Sequence, residues 1–333
     1  MAGPSPSENL HPEKIEVNPG ERPRAHETAV HAQTRFLKSM GIGRNMNTAA
    51  IVVTFHPRTD YIRNLVRVRG QVDHLIVVDN GSTENELAEI RVASQETDFR
   101  LVENGENLGI AVALNLGVRV AQREGCRWVA LFDQDSVVTE GFIATMIGEF
   151  EAYRQSNQIM QIIPRYVDPE TRVERAVSRC DDGGVFLTIT SGSLFSMEAF
   201  EQCGLFEEGL FIYCVDDDYS LRIRKKGFFI GLSRNAVLLH QSGHPTCRKV
   251  FGKTLTTKNY RPEVRYYYAR NKVWILRQYG KRFPRLIVPT LREFVTTPLK
   301  IALLEDASLA KIKLFAQGLL DGIAGRMGPL KQT

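Results

Sequence analysis

Trp128-Val-Ala-Leu-Phe-Asp-Gln-Asp-Ser136 reads as a strand that ends on two carboxylates. The run from Trp128 to Phe132 is apolar and β-prone without polar alternation, the pattern of a strand covered on both faces of a parallel sheet. Side chains alternate along a strand, so Asp133 and Asp135 are expected on one face at its carboxyl end, able to grip one divalent cation. Ligands of open α/β sheets bind beyond such ends. Paired acids also occur in solvated loops and helix caps, so the flanking sequence has to decide.

Upstream, Ala49 to Phe55 and His74 to Asp79 read as two more strands, separated by enough chain for a crossover helix. The second runs into Asp79-Asn-Gly-Ser-Thr83, where Asn-Gly marks a turn and Ser82 or Thr83 can cap the next helix. Asp79 either stabilises that turn or serves a ligand. Arg100 to Val102 is a third strand. It leads to Asn107-Leu-Gly109, where the glycine permits a close backbone approach to a ligand, and then to a helical stretch reaching about Gln122. Strand and helix alternating at this spacing predict a doubly wound α/β unit.

Ile51 to Phe55, Val77-Val-Asp-Asn-Gly-Ser82, Asn107 to Gly109 and Asp133-Gln-Asp135, in this order, resemble the nucleotide-sugar domain of family 2 inverting glycosyltransferases. Ser191 to Ser193, Gly204-Leu-Phe206 and Phe211 to Arg222 resemble that family's acceptor-side motifs, and the resemblance covers about residues 47 to 325. The segments Asp133 to Ser136, Val215 to Arg222 and Arg265 to Asn271 are most similar to bacterial rhamnosyltransferases. The resemblance implies a GT-A type α/β fold, with a mixed sheet, flanking helices and a helical C-terminal segment. It also implies dTDP-L-rhamnose or another nucleotide sugar as donor and a glycan or lipid-linked glycan as acceptor, in cell-surface polysaccharide synthesis.

Composition agrees. The 333 residues, 43% hydrophobic and 24% charged, exclude a fibrous or wholly disordered chain. Five cysteines without a C-x-x-C pair indicate neither a disulfide framework nor a structural zinc site, and reduced cytoplasmic thiols are expected. Residues 1 to 46 are expected to form a mobile tail without a signal-peptide core, with Met46 as an alternative start. Residues 47 to 240 form the expected catalytic domain and 241 to 333 a basic, mainly helical acceptor-side or membrane-proximal segment. Those last residues hold 18 Lys and Arg against 5 Asp and Glu. With no apolar run long enough to span a bilayer, they suggest peripheral contact at the inner face of the plasma membrane rather than nucleic-acid binding. Leu299 to Leu304 and Ile312 to Ile323 read as core helices or interfacial amphipathic ones.

The chemistry assigns roles. A leaving nucleoside diphosphate develops negative charge, which Mg2+ or Mn2+ held by Asp135 would stabilise, with Asp133 toward the ribose or the metal's water. From the resemblance, Asp79 accepts from the base, while Thr54, Asn107 and Gly109 line base and ribose. The resemblance also implies that His240 completes the metal or diphosphate site, with a structural surface histidine as the alternative reading and His244 as competitor. Asp216 is the candidate general base, Asp218 the runner-up and Asp217 solvated, although three acids in a helix's first turn are also favoured by the helix dipole. Arg270 is a candidate contact for diphosphate or acceptor, or a helix-surface arginine. A nucleotidyltransferase would need a basic Gly-rich loop where Thr54-Phe-His-Pro57 stands, and a non-catalytic sugar-nucleotide-binding protein would not need the Asp216 segment.

Overall fold

The chain is described by a computed structural model, which covers residues 47–58, 61–240, 246–250, 253–257 and 259–330. The expectations for the tail through Met46 and for His244 lie outside these residues.

The elements run β1 (Thr48–Thr54), α1 (Tyr61–Arg69), β2 (His74–Asp79), α2 (Glu84–Thr97), β3 (Arg100–Glu103), α3 (Ile110–Arg123), β4 (Trp128–Asp133), β5 (Val137–Val138) and α4 (Phe142–Arg154). They continue with β6 (Ile159–Val167), β7 (Leu194–Ser196), α5 (Met197–Cys203), α6 (Val215–Lys225), β8 (Phe229–Leu239), the hairpin β9 (Thr246–Val250) and β10 (Lys253–Thr257), α7 (Pro262–Tyr279), α8 (Ile287–Leu304) and α9 (Ser308–Ala324). Eight strands form one sheet in the order β3-β2-β1-β4-β7-β6-β8-β5. The first four are parallel, and β7 joins antiparallel to β4 and β6. This is a mixed α/β sheet, as the resemblance implies.

The continuous apolar runs are explained by cover on both faces. Every residue of β1 is buried, as are Leu75 to Asp79 of β2 and the first five of β4. At the carboxyl end of β2, Thr83 caps α2 through a capping box with Glu86, so the turn chemistry read from the sequence holds. Gly117 of α3 lies so close to Ile51 that an added Cβ would stand 2.5 Å from its side chain, seating α3 against the sheet. The parallel strands therefore point their carboxyl ends, Thr54, Asp79 and Asp133, at one edge.

Candidate active site

A cavity of about 510 Å³ opens at that edge, lined by Asp133 of β4, Asp216 of α6, His240 at the end of β8, and Arg175, Thr190, Tyr213 and Tyr260. A second chamber of about 350 Å³ shares Arg175, Ile189, Tyr213, Cys214 and Asp216 with it and adds Asp217, Tyr268 and Lys272. Asp216 thus stands on the wall common to both.

Asp133 is the last residue of β4, and the chain turns at once, Ser136 N–H donating to the Asp133 carbonyl at 3.0 Å. Strand alternation therefore does not carry Asp135 to the face of Asp133. The turn does the positioning, with the Gln134 side chain tied to Phe55 N–H at 2.9 Å and the Ser136 hydroxyl to Ser191 at 2.6 Å. Burial and then the neighbouring Asp135 charge push Asp133 up to about 6. Two oxygen-donor carboxylates that repel each other suit a divalent cation, since ions of the Mg2+ type take one or two carboxylates and complete their shell with water and phosphate. Among the described residues no group of three His, Cys, Asp or Glu side chains could hold a metal without such added ligands, so His240 lines the cavity without gathering with the aspartates.

Asp216 opens α6, its carboxylate accepting from Asp217 N–H at 2.9 Å. Burial, then the Asp217 charge, and more weakly Asp133, push it up to about 7. Asp217 is not simply solvated, because Lys272 lies 3.5 Å away. Asp218 turns from the cavity: it is fully buried, bonded to Arg222 and accepting from the Tyr279 hydroxyl at 2.5 Å. These bonds fix α6 to α7 and leave Asp216 as the acid of the triplet that faces both chambers.

The segment before α6 is strained. Phe211, Tyr213 and Cys214 all have φ near +60°, at 64°, 67° and 59°, a region that costs non-glycine residues about 1–3 kcal/mol each. Asn271 overcomes this by donating to the carbonyls of Leu210, Ile212 and Tyr213 at 2.9, 2.8 and 2.8 Å. Arg270 is neither a ligand contact nor a surface residue. It is fully buried, and its guanidinium donates to the carbonyls of Gly209, at 3.0 Å, Leu210, at 2.9 Å, and Gly328. Gly109, at φ 89°, admits a backbone as expected, but the backbone is that of Phe211: an added Cβ would stand 2.6 Å from its carbonyl oxygen.

At the carboxyl end of β2, Asp79 is 1% exposed and accepts from Gly81 N–H (3.1 Å), Ser82 N–H (3.0 Å), the Ser82 hydroxyl (2.5 Å) and the Thr54 hydroxyl (3.1 Å). Four donors fill a carboxylate's capacity, so the turn reading is realised, and a base N–H could enter only as the rotatable Ser82 hydroxyl swings away. Asn107 is exposed, its side-chain oxygen holding Asn80 and Gly109 N–H, each at 3.0 Å. Arg175 carried no signal in the sequence. It sits in the long excursion between β6 and β7, lines both chambers, and has no ion pair among the described residues.

Residues 50–204 match the model of Glycosyl transferase family 2. The chain is 26% identical over 306 residues to the dTDP-rhamnosyl transferase RfbF of Shigella flexneri, covering 85% of this chain and 98% of that protein. It is 25% identical over 256 residues to the galactofuranosyltransferase GlfT1 of Mycobacterium tuberculosis, covering 70% and 83%. Among solved structures, GalNAc-T7 with UDP, GalNAc and Mn2+ superposes with a TM-score of 0.53 at 12% identity, over 85% of this chain and 57% of that one, a likeness of fold.

Proposed function

We propose that this chain is a family 2 glycosyltransferase related to rhamnosyltransferases, and that it transfers L-rhamnose from dTDP-L-rhamnose to a hydroxyl of a glycan or lipid-linked glycan, with inversion. One observation carries the reading: Asp133, at the strand edge, and Asp216, held at about 7, face one cavity. A carboxylate near neutral pH is suited to receive a proton without being permanently protonated.

Asp216 takes the proton of the acceptor hydroxyl while that oxygen attacks the anomeric carbon from the chamber that Tyr268 and Lys272 line. The bond from that carbon to the diphosphate breaks in the same displacement, so the configuration inverts and dTDP leaves. Asp135 and Asp133 would hold Mg2+ or Mn2+, which when bound would stabilise the charge developing on the diphosphate. Arg175 and His240 face the same diphosphate across the cavity, where a guanidinium matches phosphate oxygens in a fork. Thr54, Asp79, Asn107 and Gly109 shape the base and ribose end, Asp79 by exchanging its Ser82 bond. Residues 241–333 form the acceptor-side part of the protein.

The test is release of nucleoside diphosphate across a panel of dTDP-, UDP- and GDP-sugars with Mg2+ or Mn2+, together with Asp216→Asn. The variant is expected to lose transfer yet bind dTDP normally in titration calorimetry, because a base acts on the acceptor. Loss of dTDP affinity in step with turnover would move Asp216 to the donor site, and preference for another sugar would displace the rhamnose assignment.

A further inference from the structure

Among the described residues, nine of the fourteen exposed large apolar side chains fall between Ile287 and Ile323. On α8 they are ordered. Val288, Leu291, Val295, Leu299 and Leu303 are 52–74% exposed, and at 100° per residue they share an arc of about 120°. The opposite side of the helix, with Thr290, Ile301 and Leu304, is buried. An 18-residue helix with one apolar face inward and another outward has more apolar surface than the fold uses.

The charges around it select the occupant. Between residues 281 and 326 seven Lys and Arg are exposed, Lys281, Arg292, Lys300 and Lys313 among them, against one exposed acid, Asp306. A second copy meeting this face through a two-fold axis would set these like charges against each other. An anionic bilayer surface instead accepts both, taking the stripe among its acyl chains and the cations at its headgroups. No described helix is long and apolar enough to cross a membrane, so contact is in the plane.

We propose that the outward face of α8 is a docking surface for anionic membrane. The position suits the reaction, and this deepens the reading of a lipid-linked acceptor given above. Glu293 of α8 accepts from the Tyr268 hydroxyl at 2.6 Å and lies 3.8 Å from Lys272, both of which line the chamber at Asp216. The apolar stripe and the chamber are thus separated by about one helix thickness, roughly 10 Å, and a lipid-borne hydroxyl at the headgroup level is within reach.

The test is flotation of the full chain with vesicles of phosphatidylglycerol and phosphatidylcholine or of phosphatidylcholine alone, at low and high salt. Binding to the anionic vesicles at low salt, weakened by salt, is expected. Leu291→Ser, Val295→Ser and Leu299→Ser combined are expected to lower partitioning about 100-fold or more, and Arg292→Gln with Lys300→Gln to lower it several-fold. Circular dichroism and donor hydrolysis without vesicles should stay within twofold of the parent. Absence of parental binding at low salt, or a triple variant that floats like the parent, overturns the proposal. So does a dimer in sedimentation that the triple variant abolishes. Flotation needs neither donor nor acceptor, so a chain that floats but does not transfer rhamnose refutes the donor assignment alone.

Discussion

Asp216→Asn should stabilise the protein at alkaline pH while it abolishes transfer. The carboxyl is raised from 3.8 to about 7 in the folded state by burial and by the charges of Asp217 and Asp133. The native state therefore holds this proton more tightly than the unfolded chain does. Its favourable contribution is complete below about pH 4 and is lost as pH rises through about 7, beyond which the fold carries an ionised group in an adverse place. Three units at 1.36 kcal/mol each give a ceiling of about 4 kcal/mol, and sharing of the proton with neighbouring acids lowers the expectation to about 1–4 kcal/mol. Asparagine keeps the shape and the oxygen that accepts from Asp217 N–H but never ionises. Urea unfolding at pH 8 should then show the variant more stable by that amount, with the difference shrinking below about 1 kcal/mol at pH 4. A gap of the same size at both pH values, or a variant less stable at pH 8, would refute the assignment of an unfavourable carboxylate at this site.

The rate of transfer should rise with pH through about 7, the region in which Asp216 loses its proton; a profile flat from pH 5 to 8 would argue against it as the base. Asp135→Asn is expected to cost about two to three orders of magnitude in turnover, more than Asp133→Asn, and full activity in excess chelator would remove the cation from the scheme. Asn271→Ala removes the donor to the Ile212 and Tyr213 carbonyls of the strained segment, while Leu210 keeps Arg270, so an unfolding free energy lowered by about 2–4 kcal/mol and a fall in kcat at nearly constant donor KM are expected. Unchanged stability would show that the segment holds itself.

The parallel half of the sheet was legible because strands covered on both faces must be continuously apolar, and their limits were readable to within one residue at Thr48–Thr54, His74–Asp79 and Trp128–Asp133. The turn after β2 was legible for a similar reason: Asn80-Gly81 and the Thr83-to-Glu86 capping box are local chemistry that needs no partner from afar. The site was legible only where a motif sits at a strand end. Such a motif singled out Asp133 and a resemblance of pattern singled out Asp216, the two acids that line the cavity. Which of three consecutive acids faces the cavity depended on Arg222 and Tyr279 taking Asp218 and on Lys272 standing beside Asp217, and two of those three partners lie more than fifty residues away. Arg270 reads like any helix arginine until the fold wraps carbonyls of residues 209, 210 and 328 around it, and Arg175 has no local pattern at all. Periodicity and turn chemistry are properties of neighbours in the chain, so the sequence by itself determined the strands, the turns and the acids that are available. Burial and pairing are properties of neighbours in space, so only the tertiary structure decided which acid stays adverse and exposed to the cavity, and which apolar face of α8 stays exposed among the described residues.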